Sequence, residues 1–438
     1  VTIEQMYTAP MRAAVGTTEK GISAPRWSLR RVVTAGVVGN VLEWYDFTIY
    51  GFFAPILAAQ FFPAEDETAS LLAAFTVFAV GFLMRPIGAI VFGHIGDRYG
   101  RARALLISVA MMAIPTVLMG LLPTYASIGV AASFLIVILR MFQGMAVGGE
   151  FTSSIVFLGE HAPSKRRGFY ASFAMFAATT GVMLGSAVGG AITNLLSAEE
   201  LAAWGWRAAF ISGIAVAVVG IIIRRNMLDA PTSGPKVSPV QIAFQEHGWQ
   251  VLRVFGLNMA PAATYYLLFV YAATWVAQTT TVPRATALDI TTFSILTFLA
   301  VAPLAAWASD RFGRKLLLVI GMSACLLLAH PLAELMQRGD VASVAAGQMA
   351  FAGLLAIYMA SIPAAMCEMF PHHVRVSAVS VGYGLAYALF GGTAPAVAVW
   401  LMSRTGNEVA LAWYVVAVTT VSLTIALTTR DRHGQPLD

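Results

Sequence analysis

Charge is scarce in this chain. Of its 438 residues only 11% are Asp, Glu, Lys or Arg, against 58% hydrophobic, and the mean hydropathy is +0.75. A soluble domain carries about 25% charged and roughly 45–50% apolar residues, so most of this chain must be solvated by lipid. Cysteine is nearly absent too. Cys325 and Cys367 lie in separate apolar segments, which excludes a disulfide framework. The seven histidines show no metal-ligand spacing, and His372-His373 is an adjacent pair in a polar turn. There is no GxGxxG, P-loop, HExxH or nucleophile elbow. These gaps argue against an enzyme, a resident metal and any cofactor. A net charge of +5 is small for this length and gives no reason to invoke nucleic acid. Residues 1–30 lack the apolar core of a cleavable signal.

What is present is a series of apolar runs. A transmembrane helix needs about 20 mostly apolar residues. Twelve segments qualify, at 32–61, 69–93, 103–123, 127–158, 168–196, 206–223, 251–279, 286–308, 315–337, 342–370, 374–402 and 408–428. The positive-inside rule orients them. Of the 27 Lys and Arg residues, Arg207, Arg284, Arg338 and Arg404 alone fall in outer loops, and Arg85 and Arg140 lie within spans. The rest sit on one side, which places both termini in the cytoplasm. Outer loops carry acidic clusters instead, such as Glu65-Asp66-Glu67 and Glu199-Glu200.

The expected organisation is all-α. A cytoplasmic arm (1–31) precedes a six-helix bundle (32–223). A Pro-broken cytoplasmic linker (224–250) leads to a second bundle (251–428) and a tail (429–438). An internal repeat supports two halves. GHIGDRYGRAR (93–103) and AWASDRFGRKL (306–316) stand in equivalent cytoplasmic loops. Two parallel halves are the plan of a secondary transporter with its site near mid-membrane. In the first loop Asp97 can accept hydrogen bonds from the N-terminus of a neighbouring helix. Arg98 and Arg101 can pair with carboxylates or lipid phosphate. Asp310, Arg311 and Arg314 repeat the set. The second copy has Ala306 at the opening position, where the first has Gly93, which sets it apart for close helix contact. Making and breaking such contacts is a gate for alternating access.

Ionisable groups inside the membrane are functional candidates by default. Glu43 and Asp46 lie in span one, Arg85 in span two, and Arg140 and Glu150 in span four. Asn40, Glu43, Phe47 and Tyr50 fall at i, i+3, i+7 and i+10, one helical stripe, with Asp46 flanking it. The helical rise puts Glu43 and Asp46 roughly 17–21 Å from the start of their span and Arg85 about 12 Å from Gly93, similar depths at which Glu43 and Arg85 can pair. Two readings follow. The carboxylates neutralise Arg85 and Arg140 as fixed pairs, or at least one of them, Asp46 foremost, exchanges protons with a cavity. Arg140, with Gln143 one turn on, is either a bidentate anchor for an anionic solute or a tie to span one. Glu150 is either an inner proton exit or a partner of the loop arginines. Gly144, Gly148 and Gly149 let another helix approach. On span seven, Tyr265 and Asn258 share a face, with Tyr266, Tyr271 and Trp275 nearby. Such aromatic rings either line a solute cavity, where they can cage a quaternary ammonium, or simply pack.

GHIGDRYGRAR resembles the signature loop of the major facilitator superfamily. GNVLEWYDFTIYGFF (39–53), GFLMRPIGAIVFGHIGDRYGR (81–101), RMFQGMAVGGEF (140–151), RRGFYASF (166–173), WGWRAAF (204–210) and EMFPHHVR (368–375) together resemble its bacterial metabolite:proton symporters. The resemblance runs from about residue 30 to 428. It implies a twelve-helix fold in the bacterial cytoplasmic membrane, working as a monomer among lipids and importing a small organic solute by proton co-transport, with the proton as coupling ion. GLAYALFGGTAPAVAVWL (384–401) looks closest to α-ketoglutarate permeases, and TYYLLFVY (264–271) to proline/betaine transporters. The sequence stops at Asp438 without the long charged coiled coil of osmosensing betaine transporters. That favours a small organic acid such as α-ketoglutarate or citrate as solute, with zwitterionic osmolytes as the alternative. A transporter-like membrane sensor would need an appended signalling domain, and an intramembrane enzyme would need a metal or nucleophile constellation.

Overall fold

Helices stand at each of the twelve expected positions in the computed structural model, which describes residues 29–99, 101–148, 150–215, 218 and 239–437. Leu29–Phe52 and Ala54–Phe61 make span one. Glu67–Leu83 and Arg85–Tyr99 make span two, and Arg101–Leu121 span three. Val130–Ala146 and Glu150–His161 make span four, Arg167–Leu195 span five, and Trp206–Ile211 opens span six. Pro239–Tyr266, Leu267–Tyr271 and Ala272–Thr279 make span seven. Arg284–Phe312 is span eight, Arg314–Gln337 span nine, and Val341–Met359 with Ile362–Cys367 span ten. Arg375–Ala386, Tyr387–Gly391 and Ala394–Thr405 make span eleven, and Ala410–Thr428 span twelve. Among the described residues, nine helices are long and apolar enough to cross a membrane. Helices are what lipid permits, since backbone groups there must bond within their own segment. The arm 1–28, residues 219–223 of the expected span six, residues 224–238 of the expected linker, and the side chains of Asp97, Arg98, Arg101 and Glu150 lie outside the described part. Residues 35–438 form one contact unit and residues 1–34 another.

The interruptions have identifiable causes. Pro55 starts the second helix of span one, Pro86 follows the break in span two, and Pro363 starts the second helix of span ten. Proline removes a backbone donor and clashes with the preceding turn, so a helix restarts at it. Leu267–Tyr271 and Tyr387–Gly391 are π-helical turns in spans seven and eleven. Span seven starts at Pro239, earlier than the expected 251, and breaks at His247 (φ −126, ψ 22) just before Gly248.

Packing between spans uses missing side chains. A Cβ on Gly144 would strike the Gly81 carbonyl, and one on Gly88 would strike Met145. Spans two and four therefore meet backbone to backbone, as small residues allow in lipid. Outward, large apolar residues such as Ile90, Phe134 and Leu327 are exposed. They form a surface suited to lipid rather than water. The acidic residues of the loops expected on the outer side have local work. Asp66 and Asp340 cap helices by accepting from Thr68 N and Ser343 N, both at 2.8 Å. Ser197 and Glu200 form a capping box. Hydrogen bonds from Ser197 hold the Glu200 carboxyl below its usual range.

Gly144→Val would push a branched side chain into the Gly81 backbone. Overpacking of this kind costs about 1–3 kcal/mol or more. The variant is expected to melt at a clearly lower temperature or aggregate, read by size-exclusion in detergent; an unchanged melting profile would refute the close contact.

Candidate solute and proton site

The two arginines of the membrane core meet aromatic faces rather than carboxylates. The Cζ of Arg140 lies 3.9 Å from the Phe47 ring centroid, 4.8 Å from Tyr50 and 4.9 Å from Phe78. Its Nη1 donates to Phe47 O at 3.1 Å and to Gln143 Oε1 at 2.9 Å. Arg85 Cζ lies 4.1 Å from Phe82, 4.8 Å from Phe47 and 5.2 Å from Trp44. Nε and Nη2 of both guanidiniums are buried and meet no acceptor among the described residues. The expected pairing of Glu43 with Arg85 is not formed, nor does Asp46 pair with Arg140. For Asp46 the reason is rotational. Phe47 and Tyr50 of the stripe face spans two and four, while Asp46 turns towards spans three and six.

Asp46 is 2% exposed, and its Oδ1 has no hydrogen-bond partner among the described residues. That oxygen and the Thr116 methyl occupy the space where a Gly213 side chain would stand. Thr116 is in turn the end of a chain from the arginine: Gln143 Nε2 donates to Thr116 Oγ1 at 2.7 Å. The buried carboxylate thus stands one side chain away from the Arg140 network. Glu43 is buried as well.

Beside Arg85 the rings close on themselves. Trp44 meets Phe151 (5.6 Å between centroids), Phe151 meets Tyr383 (5.3 Å), and Tyr383 stacks on Tyr387 (4.0 Å). Tyr387 then meets Tyr266 (6.3 Å), and Tyr266 returns to Trp44 (6.4 Å). Phe82 abuts Tyr266 at 4.9 Å. Trp44 Nε1 and Tyr266 Oη point into buried space without partners among the described residues. Spans one and four supply two of these rings, and spans seven and eleven the other three.

Several expected solute residues have structural partners. Tyr50 donates to Ala74 O at 3.1 Å, and Asn40 to Ser154 Oγ at 3.1 Å. Asn258 donates to Val254 O at 2.8 Å and to Met366 Sδ at 3.3 Å. Tyr265 donates to Thr179 Oγ1 at 3.2 Å, joining span seven to span five. Gly144 and Gly148 do admit span two, against Gly81 and the Arg85 backbone. The sequence reading stopped short of Trp44, Phe82, Phe151, Tyr383 and Tyr387 as a set. One signal was available, the i, i+4 spacing of Tyr383 and Tyr387, which puts both on one helix face.

At the end bearing the repeated loops, the buried charges described form ion pairs. Asp310 accepts from the backbone N–H groups of Gly168 and Phe169, both at 2.8 Å, at the N-terminus of span five. Its position there is favoured by the helix dipole. Arg314 pairs with Asp310 at 2.7 Å and with Glu368 at 3.1 Å, and Arg167 pairs with Glu368 at 2.9 Å. Glu160 accepts from Arg375 at 2.5 Å and from His372 at 2.8 Å. Arg311 is exposed beside Trp307. Ala306 is fully buried, and its carbonyl oxygen packs against Gly168. At the opposite end Arg284 donates to Phe52 O, and Ser186 to Leu288 O at 3.1 Å.

This fold is shared with solved transporters. A D-xylose-proton symporter superposes with a TM-score of 0.75, over 93% of this chain and 99% of that one, at 21% identity. Residues 32–233 match the "Sugar (and other) transporter" family and residues 253–438 the "Major Facilitator Superfamily". Among curated relatives, the proline/betaine transporter of Salmonella typhimurium is 32% identical over 93% of this chain and 85% of its own length. The glycine betaine/proline/ectoine/pipecolic acid transporter of Dickeya dadantii is 33% identical, with the same coverage. The α-ketoglutarate permease of Escherichia coli is 34% identical over 89% of this chain and 91% of its own. The chain is a multi-pass membrane transporter, not an enzyme. It belongs to the major facilitator superfamily, in its metabolite:proton symporter branch.

Glu368 holds two buried arginines, and removing one partner of a buried pair costs about 3–5 kcal/mol. Glu368→Gln leaves Arg167 without its carboxylate and Arg314 with Asp310 alone while that end is closed, and opening solvates them. Cys367 is fully buried there against Ile155 and Gly159 of span four. In a Cys325→Ala background, Glu368→Gln is expected to raise the maleimide labelling rate of Cys367 about tenfold or more. An unchanged rate would show that Glu368 does not hold the two bundles together.

Proposed function

We propose that this protein is a proton-coupled importer of small zwitterionic carboxylates of the proline/betaine kind. It works by alternating access, as a monomer, in the bacterial cytoplasmic membrane with both termini in the cytoplasm and no cofactor. One observation carries this reading. Buried guanidinium N–H groups without acceptors stand beside a closed circuit of aromatic rings. A carboxylate satisfies the first and an ammonium the second, and a zwitterion carries both. The names of several relatives point the same way. A second reading, a dicarboxylate importer, is favoured by the presence of two such guanidiniums and by the α-ketoglutarate permease relative.

Asp46 is the proton carrier in this reading. It is a buried carboxylate with no ion-pair partner among the described residues, next to the Arg140–Gln143–Thr116 chain. Protonation of Asp46 changes the field at Arg140, which links solute and proton. The paired end carrying Asp310, Arg314 and Glu368 is the cytoplasmic gate. Asp97, Arg98 and Arg101 are its counterpart in the first half, and Glu150 and Glu43 are accessory proton sites.

In proteoliposomes with an inward proton gradient, unlabelled betaine and proline are expected to compete strongly with labelled betaine, and citrate and α-ketoglutarate weakly. Dominant competition by α-ketoglutarate would move the assignment to the second reading. Asp46→Asn is expected to lose gradient-driven accumulation by at least tenfold while solute counterflow persists. Full accumulation by the variant would rule Asp46 out as carrier.

A further inference from the structure

We propose that Arg85 is the resident occupant of the substrate's cation site. On this view solute binding is an exchange. The ammonium of the solute takes the aromatic faces, and the displaced guanidinium takes the solute's carboxylate. The inference rests on the zwitterion reading above and says how that site selects.

Arg85 is held where a ligand cation would be held. It is 6% exposed, and its guanidinium rests over Phe82, Phe47 and Trp44. Trp44 is also a member of the five-ring circuit. The phenols of Tyr266, Tyr383 and Tyr387 lie within electrostatic reach of the same charge. Aromatic faces attract any desolvated cation, whether guanidinium or quaternary ammonium. Two nitrogens of Arg85 meet no acceptor among the described residues, and ring faces surround the guanidinium.

The backbone fixes what can move. Arg85 is the first residue of the second helix of span two, preceding Pro86, and its carbonyl packs on Gly148. The exchange is therefore a rotation of the side chain over a fixed Cα. A rigid planar fork that leaves the rings still offers its donors to a carboxylate.

The exchange has a consequence for selectivity. A cation without a carboxylate must evict Arg85 and leave it buried with no partner. A zwitterion supplies the partner. The resident arginine thus rejects simple cations, including those that fit the rings as well as the true solute does. Rejection by an unmade interaction is an effective form of specificity.

The test uses the purified full-length transporter and calorimetric titration with glycine betaine, choline and tetramethylammonium. Wild-type protein is expected to bind betaine and to bind choline at least 100-fold more weakly. Arg85→Gln is expected to bind betaine at least tenfold more weakly and choline at least tenfold more tightly than wild type. Unchanged choline binding by a folded Arg85→Gln protein would overturn the proposal. If that variant does not fold, the wild type decides. The methyl ester of betaine keeps the ammonium but loses the carboxylate charge, and affinity equal to that of betaine would overturn the exchange. If wild-type protein binds no betaine yet Arg85→Gln gains choline, the resident-cation assignment stands and the zwitterion reading falls.

Discussion

Two guanidiniums buried in an apolar core, with no carboxylate partner among the described residues, are the constraint around which the centre of this structure is arranged. An isolated charge in such surroundings is strongly disfavoured. Arg140 and Arg85 are stabilised by ring faces, and Arg140 also by a backbone carbonyl and Gln143. Those contacts offset part of the desolvation but leave donors on both side chains unmatched. A fixed ion pair would have neutralised the charges and closed the site. Aromatic support keeps each charge in place and available.

The end of the bundle with the repeated loops follows the opposite rule. Asp310, Arg314, Glu368 and Arg167 form a buried ion-paired set, and Glu160 pairs with Arg375. Buried pairs are costly to form and costlier to break singly, so such a set opens as a unit or not at all. Charges matched across an interface hold it closed, whereas unmatched charges at the centre await a ligand. The division between closure and binding therefore appears in the charge bookkeeping of the chain.

Much of the fold was legible in the sequence because lipid imposes a simple code. Apolar run length pointed to the spans, nine of which are long and apolar enough to cross a membrane among the described residues. The role of the loop aspartate was legible too: Asp310 accepts backbone donors at a helix N-terminus, as its first-half counterpart Asp97 was read to do. The ion-pair partners at the centre were not. Depth along a helix follows from the rise per residue, but azimuth decides pairing. Asp46 lies on the edge of the Phe47 and Tyr50 stripe, and a modest rotation sends it to Thr116 and Gly213 instead of Arg140. The aromatic circuit was illegible for another reason. Its rings come from four spans, and each alone reads as ordinary packing.

The circuit draws rings from both halves, which bears on transport under the proposed reading. Trp44 and Phe151 belong to the first half, and Tyr266, Tyr383 and Tyr387 to the second. A cation held by all five rings is held best when the halves are together. A ligand shifts a conformational equilibrium only by its differential affinity for the two states. Solute in the circuit therefore favours the closed arrangement, and its departure from either side requires the rings to part. Asp46 stands on the far side of span one from Arg85 but beside the chain that ends on Arg140. Its protonation changes the field at one guanidinium while solute engages the other, and both guanidiniums rest on the single ring of Phe47. That shared ring is the shortest physical link between the proposed proton site and the proposed solute site.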